Sequence, residues 1–212
     1  GICGIYHVDG KEPEFSSLAA MLQKLARRGP DHEGTFSDGG MALGHRRLSI
    51  IDLSERSDQP MVDSESGLAI VFNGTIYNYP QLKRELESKG HHFFSSGDTE
   101  VIIKAYKQWG SACVQRLHGM FAFVIWDLHN KTCFMARDRL GIKPLYYSFA
   151  DKTLVFASTM QAILASKLVD KEINPQGLHF QFSLHGVIPA PNTILKNIKK
   201  LPPAHCMTIF AD

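Results

Sequence analysis

The sequence predicts an α+β sandwich, and three observations predict it. Helical patterns lie toward both ends of the chain, with a run of short apolar strands between them. Many of those strands are apolar at successive positions, so their sheets need cover on both faces. Hydrophobic residues form 44% of the 212 and charged residues 21%, which suits a single globular domain with a sizeable core.

Ile2 to Val8 reads as a short buried strand. Phe15 to Arg27 reads as a helix, because Leu18, Met21, Leu22 and Leu25 recur at helical spacing. Gly29-Pro30-Asp31 stops it, since proline cannot continue a helix. Met41 to Ile51 and Leu68 to Phe72 are strand-like. Pro80 suits the first turn of a helix that runs to about Lys89. Asp98 or Thr99 can cap the next helix, whose Val101, Ile102, Ala105, Tyr106 and Trp109 share one apolar face. Four short strands follow at Phe121 to Trp126, Cys133 to Ala136, Leu145 to Phe149 and Leu154 to Ala157, with turn residues between them. Helical patterns return at about Met160 to Ala165 and Pro175 to Leu184. The tail from Pro189 is rich in proline and lysine, ends in a strand at Cys206 to Phe210, and reads as the approach to a linker.

A formal net charge of +2 supplies no argument for nucleic acid or membrane. No apolar run approaches the ~20 residues that span a bilayer, and the start lacks the basic and apolar regions of a signal peptide. Cys3, Cys113, Cys133 and Cys206 show neither CxxC pairing nor metal-ligand spacing. Buried thiols in a reducing cytosol fit them, with no metal site expected.

Three blocks carry chemistry. In Phe72-Asn73-Gly74-Thr75 a strand runs into Asn-Gly. That pair makes a turn, or it makes an oxyanion hole from the Asn73 side-chain amide and the Gly74 N–H. In His45-Arg46-Arg47-Leu48 an arginine beside an apolar strand needs a partner. The partner is a structural carboxylate such as Asp52, or the carboxylate of a ligand gripped by the planar guanidinium. In Gly97-Asp98-Thr99-Glu100, Asp98 is a helix cap or the counter-charge for an ammonium group. An arginine for a carboxylate and an aspartate for an ammonium together recognise a free α-amino acid. Arg28 to Asp31 and Arg137 to Tyr147 read locally as loops with ion pairs.

The order of the blocks is more specific than any one of them. RGPD (Arg28 to Asp31), HRRLSIIDLS (His45 to Ser54), QPM (Gln59 to Met61), NGTIYN (Asn73 to Asn78), GDTEVI (Gly97 to Ile102), GMFAFVIWD (Gly119 to Asp127) and RDRLGIKPLYY (Arg137 to Tyr147) resemble the glutaminase domain of class II glutamine amidotransferases. These are N-terminal-nucleophile hydrolases, and the asparagine synthetase branch fits best. The resemblance covers almost the whole chain, to about Pro203. Within that branch, Gly1 to Gly4, Phe156-Ala157-Ser158 without a following glutamate, and Leu184 to Pro191 are similar to N-acetylglutaminylglutamine amide synthases. The resemblance implies a four-layer αββα sandwich. It implies a glutaminase domain over residues 1–190, with residues 191–212 leading to an ATP-dependent synthetase domain.

The family begins its mature chain with Cys-Gly-Ile-x-Gly. Gly1 to Gly4 fits the last four positions, so the expected nucleophile is a cysteine immediately before Gly1. Without that cysteine the chain is expected to be inactive. A second alignment makes Cys3 the nucleophile after processing. In the family the cysteine attacks the side-chain amide carbon of glutamine, with its own α-amino group as base; that amine has an unperturbed pKa of about 7.7–8.0. Ammonia leaves, and water hydrolyses the thioester to release glutamate. Carried over by motif, Asn73 and Gly74 form the oxyanion hole, Arg47 holds the substrate carboxylate with backbone help from Leu48 and Ile50, and Asp98 holds the ammonium. Thr75 stands where the family has a glutamate, so weaker glutamine binding is expected.

No cofactor is implied for this domain; ATP and Mg²⁺ belong to the synthetase domain. The expected partners are glutamine or glutamate and a synthetase domain in cis. Oligomeric state stays open, with a homodimer one option. The alternatives are the glutaminase domain of an asparagine synthetase, a glutaminase-inactive domain kept as a structural partner, and a free-standing amino-acid sensor.

Overall fold

A computed structural model of the chain describes residues 1–48 and 54–211. The first strand, β1 (Ile2–His7), is followed by α1 (Phe15–Leu25), β2 (His32–Asp38) and β3 (Met41–Arg47). Then come β4 (Met61–Asp63), β5 (Leu68–Ile76), α2 (Tyr79–Ser88) and α3 (Asp98–Trp109). The second half runs β6 (Gly119–Asp127), β7 (Thr132–Arg137), β8 (Tyr146–Ala150), β9 (Thr153–Ala157), α4 (Met160–Ala165), α5 (Pro175–Ser183), β10 (Lys199–Lys200) and β11 (Cys206–Ile209).

Among the described residues the strands form two antiparallel sheets. One has the order β10-β8-β9-β1-β3-β2 and the other β11-β7-β6-β5-β4. The two sheets stack face to face, and alternation along each strand explains why both faces are apolar. On β1, Ile2 and Tyr6 enter the core between the sheets, with Leu43 of β3, Val71 of β5 and Val124 of β6. Cys3 and Ile5 point the other way and pack beneath α1 and α4 against Leu18, Leu22 and Ile163. On the second sheet, Ile70, Phe123 and Phe134 face outward under α2 and α3, against Leu86, Val101 and Ile102. The result is four layers, helix–sheet–sheet–helix, an α+β fold as the strand pattern predicts.

Several elements differ from the sequence reading. β2, β4 and β10 were not anticipated. Each is an edge strand; β2 is half exposed and polar, and β4 and β10 are only three and two residues long. Edge strands make one set of ladder bonds and need no two-sided apolar pattern. The Asn73-Gly74 pair is not a turn. It lies inside β5, opposite Ala122 and Phe121 of β6. A side chain at Gly74 would place its Cβ 2.1 Å from the Met120 carbonyl oxygen, so only glycine lets β5 and β6 approach this closely. Asp98 is not the helix cap either: Gly97 occupies that position and Asp98 opens α3 itself. The proline-bearing tail adds one strand to each sheet through β10 and β11.

Candidate active site

The two sheets part at one end, where the start of β1, the end of β3 and the second half of β5 meet. A cavity of about 240 Å³ opens there, smaller than the roughly 300–1,000 Å³ of drug-sized ligand sites. Period-two alternation aims the side chains into it. On β3, His45 and Arg47 follow Met41 and Leu43 on the face toward the other sheet; on β5, Asn73 follows Ala69 and Val71. Arg47, Leu48, Asn73, Gly74, Thr75 and Asp98 all line the cavity. Ile50, also expected at the site, lies outside the described residues.

Arg47 is buried and donates from Nη1 to Asp58 Oδ1 at 2.6 Å and to the Ser54 carbonyl at 3.0 Å. Among the described residues the carboxylate that Arg47 meets is Asp58; Asp52 lies outside them. His32 Nε2 stands 3.6 Å from the other oxygen of Asp58. Such a pair fixes the plane of a guanidinium, which then presents a directed cationic edge to a ligand.

Asp98 is 5% exposed, and its Oδ2 accepts a hydrogen bond from the Ile76 amide at 2.9 Å. Burial pushes its carboxyl pKa up, against the opposing pull of that amide. A cation placed in the cavity would restore the charge that burial disfavours.

Three buried polar atoms have no hydrogen-bond partner among the described residues: Asn73 Nδ2, His45 Nδ1 and Ser57 Oγ. All three residues line this one cavity. Leaving a buried polar atom unpaired costs about 1–3 kcal/mol. Their concentration here marks a place built for a polar ligand.

Gln59 supports the site from behind. Its Oε1 accepts from the Phe72 amide at 2.6 Å, one residue before Asn73. Its Nε2 donates to Thr99 Oγ1 at 3.3 Å, one residue after Asp98. One side chain thus couples β5 to α3 beside both functional groups.

The Arg137 to Tyr147 block is not held by the ion pairs expected of it. The Asp138 carboxylate collects the amides of Phe121, Leu140, Ile142 and Lys143, and Arg137 donates to the carbonyls of Gly141, Lys143 and Leu201. The loop so formed brings Lys143 to the cavity rim. The Arg28 to Asp31 block closes against β3: a Cβ on Gly29 would lie 2.3 Å from the Arg46 carbonyl oxygen.

Sequence reasoning missed His45, Ser57, Gln59 and Lys143. His45 alone carried a usable signal, since it precedes Arg47 by two residues on one strand and must share its face. The other three reach the cavity by loop geometry. Cys3, weighed as a nucleophile, is fully buried on the opposite face of β1, and burial pushes its thiol up to about 12.

Comparison with known proteins agrees with this arrangement. The "Glutamine amidotransferase domain" family matches residues 1–212. A protein named asparagine synthetase [glutamine-hydrolyzing] 1, from Bacillus subtilis (strain 168), is 37% identical over 220 residues, covering 100% of this chain and 34% of its own length. A putative asparagine synthetase [glutamine-hydrolyzing] 2 from Methanocaldococcus jannaschii is 39% identical over 221 residues, covering 95% of this chain and 42% of its own length. The chain thus spans about a third of the Bacillus relative. A solved structure titled the allosteric regulatory enzyme of purine biosynthesis shares the fold, with a TM-score of 0.73 at 22% identity over 99% of this chain and 46% of its own. Two covered sheets, a polar cavity where they part and a match along the whole sequence lead to one conclusion: the chain belongs to the glutamine amidotransferase domain family, on its asparagine synthetase-like side.

Proposed function

We propose that this domain hydrolyses glutamine to glutamate and ammonia through a thioester on a cysteine immediately preceding Gly1. The strand register is the observation that carries the reading. On β1, Ile2 pairs with His45 and Cys3 with Gly44. Continued by two steps from Ile2, that register sets the residue before Gly1 opposite Arg47, on the face toward the other sheet. Gly1 itself already lines the cavity. A nucleophile on β1 must have the parity of Ile2, and Cys3 has the other.

In this reading Arg47 and the backbone at Leu48 and Ile50 hold the α-carboxylate of glutamine, and Asp98 holds its ammonium. The side-chain amide then extends toward β1. The Asn73 amide and the Gly74 N–H receive the negative charge that develops on the carbonyl oxygen. The cysteine's own amine takes the thiol proton, which requires that no residue stand before it. The alternation of Asn73 with Ala69 and Val71 supports its role, because it aims an otherwise unpaired Nδ2 at the cavity.

The ammonia feeds an ATP- and Mg²⁺-dependent amide synthetase that follows residues 191–212 in the same polypeptide. The proposed acceptor is N-acetylglutaminylglutamine, supported by the similarity of Leu184 to Pro191 to that branch. Aspartate is the second reading, favoured by the names of the asparagine synthetases to which the chain is similar.

Two measurements test this. Intact mass and N-terminal sequencing of the full-length protein should find a cysteine ahead of Gly1, and a mature chain starting at Gly1 overturns the mechanism. Glutamate release from glutamine should be abolished by replacing that cysteine with alanine. Offering each acceptor with ATP, Mg²⁺ and glutamine then decides between the two products.

A further inference from the structure

His45 is not used by the mechanism just described, yet it is placed as if to serve it. It is 4% exposed and lines the cavity. The carbonyl of Phe72, the residue before Asn73, faces its ring and opposes the effect of burial on it. A carbonyl only accepts, so the ring nitrogen that meets it carries the hydrogen. The other nitrogen, Nδ1, is buried and has no partner among the described residues. Burial pushes the ring pKa down to about 3, so the imidazole stays neutral and Nδ1 keeps a bare lone pair.

The β1–β3 register says what that lone pair faces. His45 stands opposite Ile2. The residue before Gly1 would stand opposite Arg47, with His45 as its diagonal neighbour on the same face. Diagonal neighbours of a ladder lie roughly 7–8 Å apart at Cα, a gap that an imidazole bridges. We propose that His45 is a positioning residue whose Nδ1 accepts an N–H from the α-amino group of the residue preceding Gly1. The assignment rests on the glutaminase reading above.

A bare lone pair repels a thiolate. It suits a group that keeps its hydrogens and gains one as the reaction proceeds, which is what the amine does when it takes the thiol proton. His45 neither gains nor loses a proton in this step; it turns the base toward the sulfur and favours the ammonium that forms.

The test uses the full-length enzyme and two substitutions that separate the ring's two nitrogens. His45→Gln keeps a donor where the ring meets Phe72 and loses the acceptor. His45→Asn places an acceptor oxygen near the Nδ1 position and loses the Phe72 contact. His45→Gln should lower kcat for glutamine hydrolysis about tenfold or more while glutamine KM moves less than about twofold. It should slow iodoacetamide alkylation of the N-terminal cysteine, read by peptide mass, by a similar factor. His45→Asn should recover most of both rates. His45→Leu, which removes both nitrogens, should be at least as slow as His45→Gln in both rates. Alkylation of His45→Gln at the wild-type rate overturns the assignment, and so does a His45→Asn variant as slow as His45→Gln. A wild-type enzyme that releases no glutamate overturns the glutaminase reading itself; normal release with unmoved variants overturns only the role of His45.

Discussion

Arg47 on β3 and Asp58 in the following loop form an ion pair of 2.6 Å, with side-chain exposures of 8% and 23%. The pair ties the proposed substrate clamp to a loop rather than to its own sheet. Removing one member of a buried pair leaves the other charge uncompensated. Asp58→Ala should raise glutamine KM by about 5- to 20-fold and leave kcat largely intact, because the guanidinium loses its alignment but not its charge. Arg47→Lys should do more, about 10- to 100-fold in KM, since an ammonium cannot reproduce the bidentate geometry. Steady-state glutaminase kinetics on the full-length protein check both.

Asn73→Ala removes an unpaired donor aimed into the cavity. Loss of one oxyanion-hole donor typically costs about 10²–10³ in kcat. The expected result is a fall of that size with glutamine KM within a few-fold of wild type. A loss carried mainly by KM would assign Asn73 to ground-state binding instead.

Thr75 lines the cavity, at the position where the family resemblance leads one to expect a glutamate. A hydrogen bond to a charged group contributes roughly 1.5–3 kcal/mol. Thr75→Glu should therefore lower glutamine KM by about tenfold or more. An unchanged KM would show that Asp98 suffices to hold the ammonium.

The buried ring of His45 makes stability depend on pH. Its pKa is lowered from 6.5 to about 3 in the folded protein, chiefly by burial. Between those values the unfolded chain binds a proton that the native state refuses, so stability is complete above about 6.5 and is lost as pH falls toward 3. One such group changes the unfolding free energy by at most about 1.4 kcal/mol per pH unit. Urea midpoints measured at pH 7 and pH 5 should separate more for wild type than for His45→Asn.

Much of this molecule was legible in the sequence. The helical repeat of Leu18, Met21, Leu22 and Leu25 and the two-sided apolar strands predicted a covered double sheet, because those periodicities report burial directly. Arg47, Asn73, Gly74 and Asp98 were legible as a group because they stand in motif blocks whose order resembles one family. The edge strands were not legible, since a strand with one neighbour needs little apolar pattern. Of the two readings of Asn73-Gly74, the turn is set aside because local propensity yields to the ladder with Ala122 and Phe121.

By itself the sequence determined the α+β class, through local periods, and the family, through the order of its motif blocks. Only the tertiary structure decided that Arg47 meets Asp58, which face of β1 opens on the cavity and which polar atoms among the described residues are left unpaired there. Those depend on strand register across the sheets, where a shift of one residue exchanges the two faces. That register sends Cys3 beneath α1 and turns His45 and Arg47 toward Asn73.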